Sequence, residues 1–232
     1  MRNRADLPIY PTTVDAVVLT HAHIDHSGYL PLFVKSGFAG PVYCSESTRD
    51  LCQILLPDSA KLQEEEARFA NRHGYSKHHP AEPRYTTEDA ERAWTRLHAV
   101  AFDSWVELTA ALRVKLVPAG HILGAGHAVF ERSNDEMNGG STTTVVFSGD
   151  VGRMNDPLMK PPSTIDAADY LVVESTYGNR LHPKTDPMDE LGDIVRETVE
   201  RGGTVLIPAF AVGRAQSVLW FLSRLKASGR IP

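Results

Sequence analysis

Six consecutive positions, His21-Ala-His23-Ile-Asp25-His26, hold three imidazoles and a carboxylate. They constrain the fold more than any other part of the chain. A solvated turn has no need of three histidines, which repel one another once protonated, whereas the same groups are the nitrogen and oxygen donors that hold zinc at about 2.0–2.2 Å. Directly before them, Ala16 to Leu19 is a short apolar, β-branched run of the kind that forms a buried strand. A fitting fold must therefore end a strand at a metal-binding loop.

The rest of the chain supplies elements that could converge on that loop. Ser27 to Ser36 reads as a short helix closed by Gly37, and Val42 to Cys44 as a short strand. Ser45 or Ser47 then caps a helix running through Leu56. Pro57 to His73, with Glu64, Glu65 and Glu66, reads as a polar surface helix, and another begins near Thr86, whose hydroxyl caps before Asp89. Between these two, HGYSKHHPAEP is a loop by its proline and glycine content. Strands are expected at Arg113–Val117, Ala128–Glu131, Thr143–Ser148, Tyr170–Val173 and Thr204–Ile207. Three of these runs lead into site candidates: Val117 to His121, Phe147 to Asp150 and Val173 to Glu174. Convergence of strand ends on one edge is how α/β proteins build sites.

Composition narrows the setting. The chain has 232 residues, 42% hydrophobic and 23% charged, so it can bury a core and is not disordered as a whole. Its net charge of −5 means that a polyanionic partner would have to be held by a local cationic site and not by the overall field. Only Cys44 and Cys52 are present, no apolar stretch is long enough to span a membrane, and MRNRADLPIYPTT has no apolar leader core. A soluble protein in the reducing cytoplasm, with no membrane partner, is the expectation.

Taken together, THAHIDHSG, AGHILGA, FSGDVGR and ESTYGNR resemble the metallo-β-lactamase superfamily. ESTYGNRLH followed by VLIPAFAVGRAQ resembles its β-CASP branch, the zinc nucleases that process nucleic acids. The resemblance runs over nearly the whole chain. It implies an α/β fold, with an incomplete αββα sandwich over residues 1–179 and the first strand–helix unit of a β-CASP domain over residues 180–232. It also implies that His21, His23 and His121 hold one zinc, that Asp25 and His26 help to hold a second, and that Asp150 bridges them. A carboxylate suits that bridge because its two oxygens can each take a cation, at the metal separation of about 3.5–4 Å that clamps a phosphodiester. Water activated by zinc would attack phosphorus in line, and two divalent ions would make a cationic site inside an acidic protein.

In the same way the resemblance assigns catalytic roles to Asp25, Asp150 and Glu174, the last as the acid that orients a histidine acting on the leaving oxygen. Glu174 also reads as a plain strand-end acid, and Asp15 as a turn or cap residue. In PAFAVGRAQ a strand turns through Gly213 into a helix whose N–H groups and Arg214 could receive a phosphate; an ordinary turn fits those residues equally well without the family. His182 follows the ESTYGNR turn closely enough to reach substrate. His73, His78, His79 and His98 read as surface residues, and His127 fits either class.

The sequence also departs from the family. Strands bearing a glycine-rich segment and a buried aspartate normally precede the histidine loop, and two further histidines follow the β-CASP elements. Neither is present here, so the chain reads as an internal fragment. The first zinc site is expected to be strong and the second weak, the activity of this length of chain is put in question, and unpaired strand edges should favour association. For the parent protein the resemblance implies a phosphodiester hydrolase acting on nucleic acid, RNA ahead of DNA. The alternatives are a small-molecule hydrolase cleaving a thioester or lactam, and a non-catalytic subunit of a processing complex.

Overall fold

The computed structural model describes residues 7, 9–134, 141–181 and 185–232. The first strand, β1 (Val17–Val18), ends at the histidine loop and pairs in parallel with β2 (Val42–Ser45), which pairs in parallel with β3 (Leu97–Val100). A second sheet runs β4 (Val106–Thr109), β5 (Leu112–Pro118), β6 (Gly126–Ser133), β7 (Thr142–Phe147) and β8 (Tyr170–Val172). It is antiparallel except for the parallel pair β7–β8.

Alternation along the strands packs these sheets face to face. Val114, Leu116 and Ala128 point inward and meet Val18 and Val100 of the first sheet, with Phe102, Val106 and Leu108 alongside. The opposite face of the second sheet carries Val117, Val129 and Val146, against which Trp105 and Ile165 pack. The larger core lies on the outer side of the first sheet, where Leu19, Val42, Cys44 and Leu97 are covered by helices. These helices are α2 (Leu30–Lys35), α3 (Glu46–His73) and α4 (Thr87–Trp94). Helix, sheet and sheet thus form successive layers, as the αββα reading expects. No helix among the described residues is long and apolar enough to cross a membrane.

Three expectations need revision. The helix expected over 27–36 is divided into α1 (Ile24–Ser27) and α2, because Pro31 has no N–H to offer the Ser27 carbonyl and starts a new helix instead. Gly37 closes α2 in the left-handed region, at φ 110°, as expected. The helix expected to stop at Leu56 runs on through Pro57 to His73, capped by Ser45. An interior proline costs about 3 kcal/mol. A continuous helix, however, keeps Cys52, Leu56 and Ala60, each fully buried, on one face, and burying Leu56 alone returns about 1.5–3 kcal/mol.

Thr204–Ile207 is not a strand, so the strand of the expected strand–helix unit is absent among the described residues, and Leu206 is 86% exposed. A β-prone run becomes a strand only where another edge supplies its hydrogen bonds, and none does so here. Its helix is formed: α6 (Arg214–Ala227) packs on α5 (Pro187–Glu200), with Leu225 buried between them beside Gly192. The amphipathic α5, and the strands β3 and β4, were not foreseen.

Candidate metal centre

Three loops, each leaving the C-terminal end of a strand, meet at one point. The first is the histidine loop after β1, the second the 119–125 loop between β5 and β6, and the third the loop after β7 that carries Asp150. The last two touch through their backbones: the Gly152 N–H donates to the Ala119 carbonyl at 2.8 Å. A Cβ on Gly152 would lie 1.9 Å from the Gly120 carbonyl oxygen, so only glycine allows this approach.

At the meeting point, one donor atom each from His21, His23, His121 and Asp150 lie within 4.8 Å of one another. His23 Nδ1 is 3.2 Å from both His21 Nε2 and His121 Nε2. Asp150 Oδ2 is 3.3 Å from His121 Nε2 and 3.7 Å from His21 Nε2. Donors about 2.0–2.2 Å from a tetrahedral ion lie about 3.3–3.6 Å apart, so these residues fit a zinc-sized cation. On the other side, Asp150 Oδ1 is 3.3 Å from His26 Nε2, which is 3.5 Å from Asp25 Oδ2. One carboxylate therefore faces two donor sets.

His23 Nε2–H donates to the main-chain carbonyl of Val212 at 3.4 Å, which leaves Nδ1 facing inward, and His21 Nδ1 lies 3.2 Å from Thr20 Oγ1 with Nε2 facing inward. Burial, and then the neighbouring His26, His23 and His121, push the His21 pKa down to about 2, so its lone pair stays available. Burial also lowers His121, against the opposing pull of Asp150.

Among the described residues, Glu174 makes no hydrogen bond or ion pair with a histidine. Its carboxylate accepts from the Val151 N–H at 3.0 Å and the Thr176 N–H at 3.3 Å, while its own N–H donates to Ser148 Oγ at 3.1 Å. The Val151 N–H is the main cause that holds its pKa below the usual carboxylate value. It thus ties β8 to the loop that carries Asp150. His127 is resolved as a structural residue: it is 6% exposed and its Nδ1–H donates to the Ser148 carbonyl at 2.6 Å. His73, His78, His79 and His98 are exposed, as expected.

Of the expected substrate-binding residues, Gly213 caps α6 at φ 92° and Arg214 is exposed as the first residue of that helix. Their turn reaches the centre through the Val212 carbonyl and through Phe210, whose ring lies 6.2 Å from that of His23. His182 lies outside the described residues. Sequence reasoning missed the Val212 carbonyl, which as a main-chain group has no sequence signal, and it missed Thr20, which only its place before His21 could have suggested.

A family model described as the metallo-beta-lactamase superfamily matches residues 6–209. Ribonuclease TTHA0252 of Thermus thermophilus is 36% identical over 222 residues, which cover 95% of this chain and 46% of that protein. Transcription termination factor FttA of Methanosarcina mazei is 34% identical over 225 residues, covering 94% of this chain and 32% of that protein. FttA of Methanocaldococcus jannaschii is 31% identical over 213 residues, 90% of this chain and 31% of that protein. The chain spans less than half the length of these curated relatives. Among solved structures, the subclass B3 metallo-beta-lactamase MEM-A1 from a soil metagenome library overlaps 60% of this chain and 43% of its own, at a TM-score of 0.35 and 17% identity. With the family match extending over residues 6–209, the chain belongs to the metallo-β-lactamase superfamily.

Proposed function

We propose that the protein is a zinc-dependent phosphodiester hydrolase of the β-CASP branch, acting on nucleic acid, with RNA ahead of DNA. The carrying observation is the division of Asp150, whose Oδ2 faces His21 and His121 while Oδ1 faces His26. That arrangement suits two cations held about 3.5–4 Å apart. The names of the relatives, a ribonuclease and transcription termination factors, support RNA as the substrate class. In this reading residues 1–179 form the metallo-β-lactamase unit and 180–232 belong to a β-CASP unit.

His21, His23, His121 and Asp150 would hold the first zinc, and Asp25, His26 and Asp150 the second. Bound there, zinc supplies an activated water and neutralises phosphate charge. Asp25, with its side chain 79% exposed beside His26, would be placed to accept a proton at its carboxylate. Glu174 holds the Asp150 loop in register, and Gly213, Arg214 and His182 receive substrate phosphate. The buried, free thiols of Cys44 and Cys52, with pKa values pushed up to about 12 by burial, support a reducing, cytoplasmic setting.

The test is cleavage of labelled RNA and DNA of one sequence, with zinc supplied, by the protein and by its Asp150→Asn variant. RNA should be cut faster, and the variant should lose at least about a hundredfold in rate, because it removes a charge that serves both donor sets. Equal background from both proteins would overturn the reading. Hydrolysis of a thioester or lactam in place of RNA would move the function elsewhere in the superfamily.

A further inference from the structure

His121 is the imidazole donor most distant in sequence, 98 positions from His23. The base of its loop is tied to the histidine loop directly, by the Gly126 N–H donating to the Thr20 carbonyl at 2.9 Å. Within its own loop the Ala119 N–H donates to the Ala125 carbonyl and the Ala125 N–H to the Ile122 carbonyl, each at 2.9 Å. These bonds close the base of the loop without using the Gly124 carbonyl.

That carbonyl is taken by the start of α3. Ser45 Oγ donates to it at 2.7 Å and Thr48 Oγ1 at 2.9 Å, from side chains that are 2% and 0% exposed. Ser45 Oγ simultaneously accepts from the Thr48 N–H at 3.2 Å, which caps the helix. Capping needs only that one acceptor. Thr48 Oγ1 also lies 3.0 Å from Ser45 Oγ, and its own proton goes to Gly124, so the two hydroxyls form one buried cluster on that carbonyl and constrain its direction. Gly124 sits at φ 82°, and a Cβ there would come within 2.6 Å of Ser45 Oγ and the Thr48 nitrogen. On the flank, Ile122 packs with Leu51 of α3 and with Val212, whose carbonyl orients His23.

We infer that Ser45 and Thr48 are positioning residues for the metal centre: through the Gly124 carbonyl they hold the tip of the His121 loop, and so help to set the place of His121 relative to His21 and His23. This inference rests on the metal-centre reading above. It makes the first turn of α3 an outer shell of the site, of the kind whose loss weakens metal binding by roughly 10–100-fold.

The test measures zinc affinity by competition with a chromophoric chelator, together with the melting temperature. Thr48→Val keeps the Ser45 cap and so keeps the fold, yet should raise the zinc Kd about 10–100-fold. Thr48→Ser retains the hydroxyl and should restore wild-type affinity, and the double variant Ser45→Ala/Thr48→Val should bind weaker still. Thr86→Ala removes the cap of α4, away from the centre; it should lower the melting temperature and leave the Kd unchanged. The inference is overturned if Thr48→Val binds zinc as tightly as wild type, or if zinc affinity in all these variants simply follows melting temperature. His121→Ala separates the two failures. If it abolishes tight binding while the cap variants do not, only the positioning role falls; if wild type itself binds no zinc, the metal-centre reading falls and takes this one with it.

Discussion

The two donor sets that share Asp150 differ in number and in shelter. The first has four donor groups, of which His21 is fully buried. The second has three, with the side chains of Asp25 at 79% and His26 at 29% exposure. An exposed carboxylate competes with water and must be ordered before it can bind, so the second ion should be held less firmly. After dialysis, metal analysis should find close to one tightly held zinc per chain. Asp25→Ala should leave that zinc in place and His21→Ala should remove it; two tightly held ions per chain would contradict the assignment. His21, His23, Asp25 and His26 were legible from sequence because donors within six positions share a loop whatever surrounds them, whereas His121 and Asp150 came from the resemblance of their motifs. The inward turn of His127, by contrast, depends on the Ser148 carbonyl meeting its Nδ1 across the β6–β7 pair.

Among the elements, α4 shows how a short local pattern determines a helix start. The Asp89 N–H donates to Thr86 Oγ1 at 3.3 Å, and Asp89 Oδ2 accepts from the Thr86 N–H at 3.0 Å, closing a capping box. Lys35 of α2 adds an ion pair at 2.9 Å. Burial raises the Asp89 pKa, but the Thr86 N–H and then Lys35 outweigh it, and the folded value lies below the ordinary 3.8. A carboxyl depressed on folding stabilises above its unfolded pKa and loses that stabilisation as pH falls through the folded one. Asp89→Ala should therefore cost about 1–2 kcal/mol at neutral pH by chemical denaturation. The gap to wild type should shrink below about pH 4, and a gap that widened in acid would refute the assignment. The same local logic failed at Pro57 and at Thr204–Ile207. A proline inside α3 is tolerated because the helix buries one continuous face, and a β-prone run stays irregular because no edge pairs with it.

At the scale of the whole molecule, the apolar surface is unevenly covered. The edge strand β8 exposes Tyr170 by 64%, Leu171 by 61% and Val172 by 53%, and Leu206 and Phe210 are exposed by 86% and 79%. An exposed apolar edge strand pairs readily with another. Light scattering should therefore show the chain associating as its concentration rises, and Leu171→Lys should shift it toward the monomer. A wild-type chain that stays monomeric at high concentration would count against this.

Sequence by itself determined which groups could form the centre: residue type and close spacing marked the donors from His21 to His26, and the resemblance of the later motifs marked His121 and Asp150. It also determined most strand positions and the α4 cap, which depend on neighbours a few residues away, and narrowed the α3 cap to Ser45 or Ser47. Only the tertiary structure decided how those groups are used: which Asp150 oxygen faces which histidines, that Glu174 braces the Asp150 loop, and that the Val212 and Gly124 carbonyls orient His23 and the His121 loop. Each of these depends on contacts across distant segments, several through main-chain atoms that every residue shares, so no pattern of side chains could announce them.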